Sequence, residues 1–183
     1  AFAKSKIESE KELREIYSRL ERSIEEAPYP IMIHAEDGEV IKINDAWTEI
    51  TGYTEEEIPT INKWTDKAYG EKSKEVQKSI KKLYRGKDLE VEGEFKISTK
   101  TGERIWDFKS AHMGELSDGR KLVISIADDI TERKKAEKKL KKSEEKYKSL
   151  FDGMREGFAL HKLVYNESGT PVDYKIIEVN PRF

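Results

Sequence analysis

An α+β fold is predicted for this 183-residue chain by three observations. Strand-like and helix-like stretches are segregated: two strands, a run of short helices, then three strands. Residues 89–97 alternate apolar and polar residues, as an antiparallel strand with one wet face does. Long charged segments without Gly or Pro stand at both flanks of this block, at residues 4–27 and 131–152, and read as helices.

Composition narrows the function classes. Hydrophobic residues make up 36% of the chain, enough for a core, while 39% are charged. The two signs are interleaved and the net charge is only −2, so no chain-wide field favours nucleic acid or an anionic membrane. No apolar run approaches the ~18 residues of a membrane helix, and direct membrane insertion is not expected. The absence of Cys excludes disulfides, thiolate metal sites and covalent cysteinyl flavin chemistry. It suits a reducing cytoplasm, the expected compartment, with a larger parent anchored elsewhere still allowed.

Residues 4–27 place Leu13, Ile16 or Tyr17, Leu20, Ile24 and Ala27 at alternating three- and four-residue steps among Glu, Lys and Arg. This is an amphipathic helix with a narrow apolar seam, suited to pairing with a second copy or packing on its own domain. Pro28 and Pro30 end it. Ile31-Met32-Ile33-His34 and Val40-Ile41-Lys42-Ile43 flank an acidic-Gly turn and form a hairpin. Asn44 is a helix cap for the short segment Ala46–Ile50, which Gly52 stops. Thr54-Glu55-Glu56-Glu57 opens another short helix, ended by Pro59. A third turn is expected over Asn62–Trp64. Glu71–Tyr84 is a longer amphipathic helix with Val76, Ile80 and Leu83 on one face, closed by Gly86.

Leu89–Ile97 alternates cleanly, Lys100-Thr101-Gly102-Glu103 is a hairpin turn, and Arg104–Met113 is a strand whose Trp106, Phe108 and His112 share a face by even spacing. Asp118-Gly119 turns into Leu122–Ala127, short, β-branched and apolar enough for a buried strand. At Asp128-Asp129-Ile130-Thr131-Glu132-Arg133 that strand hands over to the second flanking helix. Asp129 or Thr131 can accept a hydrogen bond from a free amide of its first turn. Nine basic residues face four acidic ones between Glu132 and Lys148. Ala136, Leu140, Ser143, Tyr147 and Leu150 repeat at heptad steps through them, so the charges read as solvated flanks of a coiled coil.

Gly38, Asn44, Trp47, the helix-rich middle, Lys100-Thr101-Gly102 and the ending Asp129-Ile130-Thr131-Glu132-Arg133 together resemble a PAS domain. The ending is similar to the Asp-Ile-Thr coupling motif of PAS sensors in histidine kinases and cyclic-dinucleotide enzymes. The resemblance covers about residues 27–133. It implies a five-stranded antiparallel sheet of order 2-1-5-4-3, short helices on one face and a cavity between them. The flanking helices add to this PAS fold at both ends. The resemblance also implies a basic partner for the coupling motif, for which Arg104 is the candidate; a solvated N-cap at Asp129 is the alternative.

From Leu150 the pattern begins again. Ile31, Ile33 and His34 align with Phe158, Leu160 and His161 at one offset, and Asn180 and Phe183 take the places of Asn44 and Trp47 after a longer hairpin around residues 166–171. A second PAS domain cut off after two strands is the reading adopted, with a generic hairpin as the alternative. The chain is thus divided into an N-terminal helix (1–27), a PAS domain (28–130), a signalling helix linker (131–152) and the start of a second PAS domain (153–183).

The resemblance places Asn44, Trp47, Trp64, Trp106, Phe108 and His112 around the cavity, although a filled aromatic core would have the same pattern. His34, His112 and His161 lack metal-ligand spacing, so no metal is expected. Haem-binding relatives take an axial His from the long middle helix, and Glu71–Tyr84 has none. No cofactor is required. There is no phosphate-cradling Gly loop or catalytic constellation, so the segment is read as non-catalytic within a parent of the sensor histidine kinase type. The expected function is a sensory, signal-relay PAS module that dimerises through Leu13, Leu20, Ile24, Leu140, Tyr147 and Leu150. Arg104, Asp129, Ile130 and Thr131 would couple it to an output domain in the same parent chain. The alternatives are a ligand-free interaction and dimerisation module, and a non-covalent flavin or haem sensor.

Overall fold

A computed structural model describes residues 2–84 and 91–183. The expected stop at Gly86 and the strand start at Leu89-Glu90 lie outside these residues. The chain divides into two units, Ala1–Thr131 and Glu132–Phe183.

In the first unit α1 (Phe2–Glu25) precedes β1 (Ile31–Ala35) and β2 (Val40–Ile43), joined by a turn with Gly38 at φ 93°. Short helices follow: α2 (Asp45–Thr51), a 3-10 turn (Glu55–Glu57), α3 (Ile61–Tyr69), a second 3-10 turn (Gly70–Lys72) and α4 (Ser73–Leu83). Then come β3 (Val91–Thr99), β4 (Gly102–Glu115) and β5 (Lys121–Asp129). The expected turn at Asn62–Trp64 is a full nine-residue helix capped by Thr60 Oγ1, which accepts from Lys63 N at 3.2 Å. The expected helix from Glu71 starts two residues later, because Gly70–Lys72 winds as a 3-10 turn.

The sheet is antiparallel throughout, in the order β2-β1-β5-β4-β3, as the resemblance implies. β4 runs longer than expected at both ends, and β5 extends through Asp129 because that residue pairs with Trp106. Period-two alternation puts Met32 and His34 of β1, Val123, Ser125 and Ala127 of β5, and Trp106, Phe108 and Ser110 of β4 on the buried face. With Trp47, Ile58, Ile61 and Trp64 most of these apolar residues form the core.

Arg120 holds two hairpins together. Its guanidinium reaches Asp37 at 2.7 Å, Glu39 at 2.5 Å and Asp118 at 2.8 Å. Asp37 is held below the usual carboxylate range, first by the Glu39 amide and then by Arg120.

The second unit contains the body of α5 (Thr131–Gly153) and a hairpin of β6 (Ala159–Tyr165) and β7 (Pro171–Val179). Asn180 Oδ1 accepts from Phe158 N at 2.8 Å and Phe183 N at 3.1 Å, and its Nδ2 donates to Glu156 O at 2.8 Å. In the first unit Asn44 does the same with Ile31 N at 2.8 Å, Trp47 N at 3.1 Å and Tyr29 O at 2.9 Å. The aligned residues therefore share a hydrogen-bond pattern as well as a spacing.

Candidate functional site

A cavity of about 400 Å³ lies against the inner face of the sheet. Trp47, Trp64 and Phe108 line it, with Ile61 and Tyr69 from α3 and Val76, Ile80 and Leu83 from α4 or its end. Trp106 is fully buried yet does not line it: it packs behind Trp47, ring centroids 5.2 Å apart, and near Trp64 at 6.2 Å. Trp47 and Trp64 meet edge to face at 4.8 Å. The three indoles form one cluster, of which Trp47 and Trp64 face the cavity. The Nε1 donors of Trp47 and Trp106 are buried without a hydrogen-bond partner among the described residues.

Besides Trp106, two expected cavity residues stand elsewhere. Asn44 is buried, but its amide is fully used in capping α2 and holding the end of α1, through Ile24 O at 3.1 Å and Ala27 O at 3.2 Å. His112 is exposed, and its Nδ1 accepts from Gly114 N at 3.2 Å beside a bulge in β4. Even spacing sets the face of a strand residue, not how far the covering helices extend along that face.

Sequence reasoning does not single out the polar end of the cavity. Ser110 and Ser125 are opposed in the β4–β5 register, and their hydroxyls are 2.8 Å apart. Ser125 Oγ lies 3.3 Å from His34 Nε2, while His34 Nδ1 contacts the Tyr84 hydroxyl, which donates to Ala35 O at 2.8 Å. Burial lowers the His34 pKa to about 4, so the ring is neutral at neutral pH. Burial and the nearby Asp37 and Glu36 carboxylates raise that of Tyr84, which stays a phenol. The available signal was a His inside an apolar strand, together with two Ser at inward positions. Among the described residues no group of three or more His, Asp or Glu side chains could hold a metal ion.

The joint to α5 is built from the same strands. Ile130 N donates to Ile105 O at 2.9 Å, and Ile105 N donates to Thr131 Oγ1 at 2.9 Å. Asp129 Oδ1 accepts from Thr131 N at 3.0 Å and also from the Thr131 hydroxyl. Arg104 Nη1 is 3.6 Å from Asp129 Oδ2. Ile130 and Thr131 are buried. A double-mutant cycle of Arg104→Gln and Asp129→Asn is expected to give a coupling of about 0.5–1 kcal/mol, since both side chains are partly exposed. Zero coupling would leave Asp129 as a cap alone.

Leu13, Leu20, Leu140, Tyr147 and Leu150 are exposed, and Ile24 is half-buried. Tyr147 also donates to Glu178 Oε2 at 3.0 Å and stacks on Phe151. No helix among the described residues is long and apolar enough to cross a membrane.

A PAS domain family model matches residues 28–132. Among solved structures, the PAS domain of an HTR-like protein from Haloarcula marismortui superimposes with a TM-score of 0.56 at 22% identity, covering 67% of this chain and 98% of the other. The PAS domain of Bordetella pertussis BvgS gives 0.54 at 19% identity, with 72% and 98% covered. An RNA-binding light-oxygen-voltage receptor gives 0.53 at 16% identity, with 70% and 37% covered. Comparison with curated proteins gives no match.

Proposed function

The chain belongs to the PAS domain family, and we propose that it is a sensory and signal-relay module without catalytic chemistry of its own. A small molecule in the sheet cavity, or a change arriving from upstream, biases two arrangements of the joint. The message leaves through α5 toward an output domain in the same parent, of the histidine-kinase type. One observation carries this reading: β4 and β5, whose Phe108, Ser110 and Ser125 line the cavity, also hold the first residues of α5. A ligand that shifts these strands therefore acts directly on the helix root. In the full-length parent, Asp129→Asn should alter regulated output while the domain stays folded. Normal regulation in that variant would remove the joint from the pathway.

Dimerisation through the seams of α1 and α5 completes the proposal. Both leave large apolar side chains exposed in a charged surround, the pattern of a coiled-coil face. Leu20→Lys together with Leu140→Lys should yield monomers in sedimentation velocity. A mass unchanged from wild type would reject these seams as the interface. Residues 153–183 are proposed as the opening hairpin of a second copy of the fold, on the strength of the Asn180 pattern it shares with Asn44. A hairpin alone is marginal in water.

A further inference from the structure

The polar end of the cavity is a hydrogen-bond chain whose sense follows from where the Tyr84 proton goes. The Tyr84 hydroxyl has one proton and donates it to Ala35 O at 2.8 Å. In that arrangement it offers His34 only lone pairs, so Nδ1 carries the ring proton and donates it. Nε2 is then bare and accepts from Ser125 Oγ at 3.3 Å. The Ser125 proton being committed, Ser110 donates its own across the 2.8 Å contact. Ser110 therefore stands on the cavity wall with lone pairs alone to offer, and its hydroxyl has no further partner among the described residues. A second proton on the imidazole would break this order, but burial keeps the ring neutral at neutral pH.

We propose that the cavity selects an uncharged, largely apolar ligand that presents an N–H or O–H donor to Ser110 Oγ, and discriminates against isosteres with only an acceptor at that place. The inference rests on the sensory reading above and names its ligand class. The lack of net charge follows from the lining, whose charged residues are Lys72, Lys96, Glu75 and Glu94, two of each sign. An acceptor placed against Ser110 would set lone pair against lone pair, or force the chain to reverse, drawing the Ser125 proton from His34 Nε2 or the Tyr84 proton from Ala35 O.

Two isosteric pairs test this, indole with benzofuran and carbazole with dibenzofuran, each exchanging N–H for O. In NMR titrations of the whole chain the N–H member should bind about tenfold tighter or more. Ser110→Ala should abolish the preference. Ser125→Ala should also abolish it, by releasing the Ser110 proton so that the oxygen isosteres gain affinity. Equal binding within both pairs by wild type would overturn the proposal while leaving the cavity reading intact. So would a preference that survives either substitution. Binding of none of the four would overturn both.

Discussion

Trp106→Ala is expected to destabilise the first unit by about 3–5 kcal/mol in urea melts, the usual cost of deleting a buried aromatic and leaving a void. The indole is fully buried, packs against Trp47, Trp64 and Phe108, and does not reach the cavity. Small cavity ligands should therefore not restore the lost stability selectively. Against a typical domain stability of about 5–15 kcal/mol this is a severe loss. His112→Ala is the internal control: on the same strand at an exposed position, it should change stability by less than about 0.5 kcal/mol. Similar costs for the two substitutions would refute the burial assignment of β4.

Acid sensitivity is the second large effect. His34 has a folded-state pKa of about 4 against an ordinary value of 6.5, because burial penalises the imidazolium. Between these values the unfolded chain binds the proton and the folded chain does not. The contribution of His34 to stability is thus complete above about pH 6.5 and is lost as pH falls toward 4, by up to about 3 kcal/mol. Carboxylates add their own acid dependence, so the measurement is a comparison. His34→Gln keeps a donor and an acceptor in place but does not titrate. Its stability should fall less steeply than wild type between pH 7 and 4. Parallel curves for the two proteins would show that His34 is not held neutral by the fold.

Local features of the chain sufficed for most of the architecture. Prolines 28 and 30, Asn44 and the alternation of β3 and β4 act within a few residues of themselves, and each places an element or its end. The motif Asp129-Ile130-Thr131 and its likeness to a family supplied the strand order, which no local pattern contains. Helix boundaries were less legible. Whether Asn62–Trp64 is one turn or part of a longer helix depends on Trp64 and Ala68 finding the core.

The cavity shows the limit most clearly. Periodicity put Trp106, Phe108 and His112 on one face, but only the packing of α3 and α4 over the sheet separates the three into buried plug, cavity wall and exposed rim. Hydrophobic pattern records which way a side chain points along its own strand. It carries no information on what another element places opposite. Ser110, Ser125, His34 and Tyr84 come from four separate stretches of chain, and their hydrogen-bond order exists only once β1, β5 and β4 lie side by side. The elements, the faces of their strands and the Asp129 cap at the start of α5 are legible in the chain, because those depend on neighbours in the chain. Which inward residues bound the cavity, and which polar groups meet at its end, follow only from the packing, because those depend on neighbours in space.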